Sequence, residues 1–262
     1  MSFIELKNIN KIFHSETEDA YHALKNINLK IKSGDFITII GGNGAGKSTL
    51  LNAIAGTISI DSGNILINDK DISKTKEYER ASYISRVFQN PLDGTAPRMT
   101  VAENMALAIR RGERRTLSTG VKKSDLSVFK DNLKSLNLGL ENRLDTEIGL
   151  LSGGQRQAIS LLMATMKKPE LILLDEHTAA LDPKTQKNIM RITDEKIKEK
   201  NLTAFMITHN LQDALEYGNR FLVMHHGEIV RDISSKEKKN GLFNVEIETP
   251  TTNSDGAFSV TS

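Results

Sequence analysis

Short apolar segments divide the N-terminal part of the chain into strands and one helix. Loose alternation of apolar and polar residues over 3–13, 27–31 and 65–67 predicts half-buried antiparallel strands. The nearly continuous apolar run 36–40 predicts a buried central strand, and i,i+4 spacing over 47–55 predicts a helix after it. The pattern therefore predicts an antiparallel β portion at the N-terminal side of an α/β core.

The second half of the chain is patterned first as helices and then as strands. Helical spacing is found in 99–108, 126–136 and 158–166. Strand-like apolar segments are 171–174, 204–207 and 220–224. Because a loop or helix pattern follows each of these segments, we expect βαβ units with a parallel sheet. The fold class predicted from the pattern is α/β.

Composition narrows the classes of function. The net charge of the 262 residues is +2, so bulk charge gives no support to nucleic-acid binding. The absence of cysteine excludes a disulfide scaffold and a cysteine metal site. No apolar run approaches the ~18 residues that a membrane helix needs, and the N-terminus does not resemble a signal peptide. Residues 241–262 are dominated by small and polar residues, which predicts a weakly ordered tail.

The segment between the central strand and the first helix matches G-x-x-x-x-G-K-[ST], the phosphate-binding loop. Glycines let backbone N–H groups approach phosphate oxygens, and the opening of the helix directs its positive dipole end at the anion. Lys47 would place a cation on the β- and γ-phosphates, and the Ser48 hydroxyl would bind Mg²⁺. The predicted nucleotide-binding residues of this loop are Gly41, Gly42, Asn43, Gly44, Ala45, Gly46, Lys47, Ser48 and Thr49.

A second candidate site lies where the strand-like segment 171–174 ends in two acidic residues. Asp175 would carry a carboxylate to Mg²⁺ at the carboxyl edge of the sheet, where ligands bind in α/β folds. Glu176 could then activate the attacking water as a general base. An acidic turn after a core strand is also common without any function, so this motif gains its weight from the phosphate-binding loop.

The third motif, Leu-Ser-Gly-Gly-Gln at 151–155, suggests a family. Ser152 and Gln155 form the pattern of a helix capping box, and a helix over 155–166 is predicted to follow. The two glycines leave the backbone open at this second helix N-terminus. The pentapeptide resembles the signature of the ATP-binding subunits of ABC transporters, and the resemblance covers about residues 3–235.

This resemblance implies an architecture. The expected domain spans 1–240, with a P-loop NTPase (ABC ATPase) core at 1–91 and 169–240 that includes an N-terminal antiparallel β subdomain. An α-helical subdomain is expected to be inserted at 92–168. The implied active form is a head-to-tail homodimer that encloses two ATP molecules. In it, the signature residues Ser152, Gly153, Gly154 and Gln155 of one subunit complete the site of the other.

The resemblance also implies roles for four residues outside the three motifs. Gln89 would contact Mg²⁺ or the attacking water, and His209 would contact the γ-phosphate and orient that water. Asp182 would lie in a loop that crosses the dimer interface, and Phe13 would stack on adenine. The ordinary alternatives are a polar loop residue for Gln89, a structural histidine for His209 and a core phenylalanine for Phe13. The implied catalytic residues are Lys47, Gln89, Glu176 and His209, and the implied metal ligands are Ser48, Gln89 and Asp175.

One departure from the family pattern concerns His177, which stands where many members have proline. A tolerated packing change would account for it. The local sequence is also similar to that of ATPases that accompany tryptophan/tyrosine-type substrate-binding proteins.

The function implied is hydrolysis of ATP, with Mg²⁺, by a subunit that powers a bacterial importer of amino acids or similar small solutes. The implied partners are a second ATPase subunit, membrane permease subunits and an extracellular substrate-binding protein, with no nucleic acid. The implied location is cytoplasmic, on the inner face of the cell membrane. A soluble ABC ATPase that serves iron–sulfur cluster assembly, and an exporter or lipid-extraction ATPase, are the alternatives. The transported substrate is selected by the permease and any binding protein, so the residues of the ATP site do not identify it.

Overall fold

The computed structural model describes residues 3–113 and 120–240, so the predicted tail at 241–262 lies outside the described residues. Within those ranges the strands are β1 (Ile4–Phe13), β2 (Tyr21–Ile31), β3 (Phe36–Ile40), β4 (Ser62–Ile67), β5 (Lys70–Asp71), β6 (Ile84–Val87), β7 (Leu171–Asp175), β8 (Thr203–Ile207), β9 (Arg220–His225) and β10 (Glu228–Ile233). The α-helices are α1 (Lys47–Ala55), α2 (Glu77–Arg80), α3 (Val101–Ile109), α4 (Lys123–Lys134), α5 (Gly153–Met166), α6 (Pro183–Lys200), α7 (Leu211–Glu216) and α8 (Ser235–Asn240).

Backbone contacts divide the described chain into two compact units. The first contains the residues up to Arg80 and those from Thr203 onward, and the second contains Ala81–Leu202. The second unit is larger than the helical subdomain expected at 92–168, because β6, β7 and α6 belong to it together with α3, α4 and α5. The expected subdomain boundaries stay a prediction.

An antiparallel sheet in the order β2-β1-β4-β5 forms part of the first unit. Leu6 on β1 faces Leu29 on β2 and Ile65 on β4, and all three side chains are buried. The alternation in these segments thus gives one apolar face, which packs inward. The antiparallel strands predicted from the sequence are confirmed.

A second sheet in the first unit places β3 between two parallel neighbours, in the order β10-β9-β3-β8. Ile37 on β3 pairs with Phe205 on β8 and with Arg220 on β9. All five residues of β3 are buried, as predicted for a central strand of a parallel sheet. The antiparallel partner of β9 was not predicted, because β10 is largely exposed and lacks a clear apolar alternation.

The C-terminus of α1 is fixed by a buried arginine. Arg80 is 2% exposed, and its Nη1 donates to the carbonyl oxygens of Ala53 and Ile54, each at 2.8 Å. Those carbonyls lie at the negative end of the helix, where a cation is favourable. The helix that begins at the phosphate-binding loop is therefore held firmly at its other end.

The second unit pairs β6 with β7 in parallel, with Val87 opposite Leu174. Its helices have N-terminal caps: α3 begins after a capping box of Thr100 and Glu103, two residues later than the apolar spacing predicts. Helix α4, in turn, begins and ends earlier than the predicted 126–136. Among the described residues, no helix combines the length and the apolar character needed to span a bilayer.

Candidate functional site

The phosphate-binding loop lies between β3 and α1, as predicted, and its conformation depends on glycine. Gly44 and Gly46 have φ values of 75° and 96°, which side chains rarely adopt. A Cβ atom on Gly46 would also lie 2.5 Å from the carbonyl oxygen of Ala23. The loop therefore follows a path that only glycine allows, and α1 begins directly after it at Lys47.

Lys47 lies inside this loop. Its side chain is buried, and Nζ donates to the carbonyl oxygens of Gly41 at 2.8 Å and Gly42 at 2.9 Å. The ammonium group is thus held by the loop that precedes it, next to the N-terminus of α1. Ser48 follows in the first turn of α1 and is exposed. A cation, helix N–H groups and a hydroxyl converge here, which is the donor set that a polyphosphate requires.

Phe13 ends β1 and lies opposite Tyr21 of β2. The Nζ of Lys11 is 5.5 Å from the centre of the Phe13 ring, within cation–π range. Tyr21 is 45% exposed, yet its hydroxyl donates to the carbonyl oxygen of Gly44 in the phosphate-binding loop. Sequence reasoning missed Tyr21, because a tyrosine in a strand is ordinary. The structure thus connects the strand pair that carries Phe13 to the loop.

His209 lies in the same unit, two residues after β8 ends. Because β3 and β8 are parallel neighbours, His209 and Gly41 follow adjacent strands at the same edge of the sheet. The side chain of His209 is exposed, and Asn210 caps α7 by accepting hydrogen bonds from the backbone N–H groups of Gln212 and Asp213. His209 is therefore placed at the phosphate-loop edge by a fixed strand-to-helix turn.

In the second unit, two predicted site residues share one edge of the β6–β7 pair. Asp175 is the last residue of β7, and Gln89 follows the end of β6 by two residues. The strands are parallel, so both residues lie at their carboxyl ends. Nη2 of Arg86, on β6, lies 2.7 Å from Oδ2 of Asp175. Sequence reasoning missed Arg86, because a single arginine in a strand carries no motif.

Glu176 adopts a strained backbone conformation. Its φ of 45° lies in the left-handed region, which costs a residue with a side chain on the order of 1 kcal/mol or more. The turn is closed by a hydrogen bond from the Ala179 N–H to the Glu176 carbonyl oxygen at 3.0 Å. Strain of this kind occurs at functional sites and in ordinary turns alike, so the general-base role of Glu176 stays a prediction.

The signature segment forms the predicted capping box at the start of α5. Ser152 Oγ accepts from the Gln155 N–H at 3.3 Å, and Gln155 Oε1 accepts from the Ser152 N–H at 3.2 Å. The helix begins at Gly153, two residues earlier than predicted. A Cβ on Gly154 would lie 2.3 Å from Cγ2 of Thr185 on α6, so this glycine also permits close helix packing.

Asp182, predicted to lie at an interface, caps α6. Its carboxylate accepts from the Thr185 N–H at 3.1 Å. Hydrogen bonds from the Thr185 side chain, and then from its backbone N–H, lower the pKa of Asp182. The capping role is compatible with an interface role, because Asp182 is exposed at the surface.

The family model described as ABC transporter matches residues 24–179, a range that contains the phosphate-binding loop, the acidic strand end and the signature. The chain belongs to the ABC transporter ATP-binding family. This ABC ATPase is 43% identical to a tyrosine transport ATP-binding protein of Clostridioides difficile, over 90% of this chain and 94% of that protein. It is 37% identical, over 87% of its length, to a spermidine/putrescine import ATP-binding protein of Fusobacterium nucleatum, of which it spans 57%.

The solved structures agree with this assignment. An ATP-binding cassette in a dimeric, post-hydrolysis state with bound ADP and Pi matches 88% of this chain and 98% of its own, with a TM-score of 0.76 and 30% identity. The predicted P-loop α/β fold is thereby confirmed, and so is the family suggested by the signature motif. The chain is an ATPase: it binds ATP and hydrolyses it in the service of transport.

The ABC ATPase offers donors that suit Mg²⁺ bound together with a nucleotide. Among the described residues no cluster of three or more histidine, cysteine or acidic side chains could hold a metal ion alone. The hydroxyl of Ser48 and the carboxylate of Asp175 are hard oxygen donors, which Mg²⁺ prefers alongside phosphate oxygens and water. By its donor chemistry, each of these two side chains suits an ion that arrives with the phosphates of the substrate.

His177 is a packing residue of the ABC ATPase. It is 2% exposed, and its Nε2 lies 2.9 Å from Oγ1 of Thr193 on α6. The Thr193 hydroxyl donates its hydrogen to the Ile189 carbonyl oxygen, so its oxygen accepts from a protonated Nε2 of His177. Burial lowers the pKa of His177 from 6.5 to about 4. These contacts support the interpretation of His177 as a packing change.

Proposed function

We propose that this ABC ATPase powers an importer of amino acids or similar small solutes, with aromatic amino acids as the first class to test. The observation that carries this proposal is the 43% identity, over nearly the whole length of both chains, to a tyrosine transport ATP-binding protein. The local sequence around His177 points to the same kind of uptake system. The spermidine/putrescine relative also serves import, but the identity is lower and this chain spans only part of it.

The phosphates of ATP are assigned to the phosphate-binding loop. Asn43, Ala45 and Thr49 complete the loop and the first turn of α1 around the glycines, Lys47 and Ser48. Backbone N–H groups and Lys47 would stabilise the charge that develops on the transferring phosphoryl group. Phe13 would stack on the adenine ring, with the Tyr21 hydroxyl holding the loop close to the strand pair that carries Phe13. The first unit of the chain would thus bind both the phosphates and the adenine ring of the nucleotide.

The metal and water are assigned to residues that follow strand ends. Ser48, Gln89 and Asp175 would hold Mg²⁺, which neutralises phosphate charge when bound. Glu176 would polarise the attacking water as general base, and His209 would orient that water toward the γ-phosphate. Asp175 ends β7 and Glu176 follows it, while Gln89 and His209 each come two residues after a strand. The end of a strand fixes the backbone at each of these positions.

The active form is proposed to be a head-to-tail dimer. The Ser152 hydroxyl and the Gly153 and Gly154 N–H groups of one subunit would complete the ATP site of the other, next to Gln155 and Asp182. The supporting observations are the open helix N-terminus at α5 and the dimeric, post-hydrolysis state of a structurally similar cassette. ATP would then act as part of the interface, and its hydrolysis would weaken the dimer.

Transport requires partners with membrane-spanning segments, and we propose permease subunits on the inner face of the cell membrane as the docking site. An extracellular substrate-binding protein would deliver the solute. The basis is that relatives of this chain are named as ATP-binding proteins of transport and import systems. The described helices provide no span of their own.

A complementation experiment tests the import proposal. Source cells that lack this chain should lose uptake of radiolabelled tyrosine or tryptophan, and the wild-type chain should restore it. Glu176→Gln should fail to restore uptake, because ATP binds but turns over very slowly. The control Glu195→Gln, which removes an exposed ion pair of α6 with Arg191, should restore uptake fully.

Two results would contradict the proposal at different levels. Normal uptake of every amino acid in the deficient cells would reject the substrate class. A Glu176→Gln chain with ATP that recovers no polytopic membrane protein from detergent-solubilised membranes, and only soluble assembly proteins, would reject transport and favour the iron–sulfur alternative.

A further inference from the structure

An arginine already holds the carboxylate that we assign to the metal. Nη2 of Arg86 donates to Oδ2 of Asp175 at 2.7 Å, a short, charge-assisted hydrogen bond. The side chains of Arg86 and Asp175 are only 15% and 14% exposed, so solvent screens the pair weakly. The phosphate-binding loop, the signature and the other motifs do not account for this contact.

Arg86 is held on a second side by an aromatic ring. Its Cζ lies 4.7 Å from the centre of the Phe88 ring, within the range of a cation–π contact. Phe88 immediately precedes Gln89, the residue assigned to the metal or the attacking water. The guanidinium is thus placed beside one proposed metal ligand and against the neighbour of another.

A divalent cation at Asp175 and the guanidinium of Arg86 would compete for the same charge. Both are positive, and the repulsion between them is strong at short distance in a partly buried site. The carboxylate can satisfy both only if the arginine shares or gives up Oδ2. The ion pair therefore weakens metal binding at Asp175. The more stable the contact between Arg86 and Asp175 is, the larger this effect becomes.

We propose that Arg86 is a positioning residue: it is the counter-ion of Asp175 in the metal-free chain, and it sets how strongly divalent metal strengthens nucleotide binding. The proposal rests on the assignment of Asp175 to Mg²⁺ under the proposed function. In the metal-free state Arg86 holds the Asp175 carboxylate in one orientation through their ion pair. When metal and nucleotide arrive together, the pair has to loosen, so metal binding is coupled to movement of β6 and of the adjoining Gln89.

The test measures the coupling between metal and nucleotide. A non-hydrolysable ATP analogue is titrated calorimetrically into the full chain, once with EDTA and once with Mg²⁺. The dissociation constant in EDTA divided by that in Mg²⁺ is the ratio that measures how much the metal strengthens nucleotide binding. In Arg86→Gln this ratio should rise about fivefold or more over the wild type, because the competing cation is gone. Arg86→Lys should stay close to the wild type, because the positive charge remains.

Two further variants guard against an effect on folding alone. Arg86→Met, which retains an apolar stem of similar length, should raise the ratio as Arg86→Gln does. Arg191→Gln removes an exposed arginine of the same unit and should leave the ratio unchanged. A merely structural ion pair would lower the melting temperature of Arg86→Gln and Arg86→Met without raising the ratio, and that result would overturn the proposal.

Asp175→Asn separates this proposal from the one on which it rests. If Asp175→Asn lowers the ratio while the Arg86 variants leave it unchanged, the metal assignment holds and the role of Arg86 is rejected. If Asp175→Asn leaves the ratio unchanged, the metal assignment of Asp175 fails, and the role of Arg86 is rejected with it.

Discussion

At the scale of single residues, charged groups of the candidate site are held by partners inside the protein. Lys47 donates to the carbonyls of Gly41 and Gly42, and Arg86 holds Asp175. Groups fixed in this way need little reorganisation when a ligand brings its own charge. The cost is that each ligand charge has to replace or share an existing interaction, and Arg86 is the clearest instance.

His177 yields a prediction on stability against pH. Its pKa in the folded chain is about 4, below the ordinary value of 6.5, because the imidazole is buried. Between these pH values the unfolded chain binds a proton that the folded chain does not. The free energy of unfolding should therefore fall as the pH drops from 6.5 to 4, by about 3 kcal/mol from this group.

Chemical denaturation of the wild type and of His177→Leu at several pH values checks this expectation. Leucine cannot titrate, and Thr193 keeps its hydrogen bond to the Ile189 carbonyl oxygen. The variant should therefore lose stability less steeply over this pH interval. Equal slopes for the two proteins would show that His177 does not titrate below its ordinary pKa.

At the scale of helices and strands, one contact decides how α5 meets α6. A Cβ on Gly154 would approach Cγ2 of Thr185 to 2.3 Å, whereas a Cβ on Gly153 would lie 3.6 Å from Leu181 Cδ2, an ordinary contact. Gly154→Ala should therefore destabilise the chain by about 1–3 kcal/mol. Gly153→Ala, the matched control, should be neutral or slightly stabilising, since alanine favours a helix over glycine.

Thermal or denaturant unfolding measures both variants. Thr185→Ser removes the methyl group that the new Cβ would meet, so adding it to Gly154→Ala should recover much of the lost stability. A double variant as unstable as Gly154→Ala alone would show that the methyl contact is not the cause.

The same scale shows what the sequence could and could not predict. The interval from β3 through α1 was predicted correctly, because a continuous apolar run, a glycine loop and an amphipathic helix are local signals. Strand β10 was missed, because its register is set by pairing with β9 rather than by its own exposed pattern. The start of α5 was placed too late, since the glycines of the signature suggest a loop although Ser152 caps the helix before them.

The site residues also divide into those that local sequence signals could identify and those that they could not. Those within contiguous motifs could be named from the sequence, because the spacing itself encodes the geometry of a loop or a helix start. Tyr21 and Arg86 could not be named, because each acts through a partner distant in sequence, Gly44 for one and Asp175 for the other. Contacts of this kind are set by tertiary structure.

At the scale of the whole molecule, the account requires that ATP assemble two subunits. The signature and the phosphate-binding loop lie at the N-termini of α5 and α1 of one chain, and the proposed dimer uses both for each nucleotide. Glu176→Gln should stop the cycle after ATP binding and before hydrolysis. The bound dimer should then accumulate, whereas the wild type returns to single subunits as ATP is consumed.

The most direct measurement is the mass of Glu176→Gln in solution by light scattering after size exclusion, without nucleotide and with Mg²⁺ and ATP. We predict a shift from the monomer of 29.1 kDa to twice that mass with ATP, and none with ADP. Ser152→Arg in the same background should bind ATP and stay monomeric, because the signature is then blocked. A Glu176→Gln chain that is saturated with ATP and remains a monomer would contradict the account.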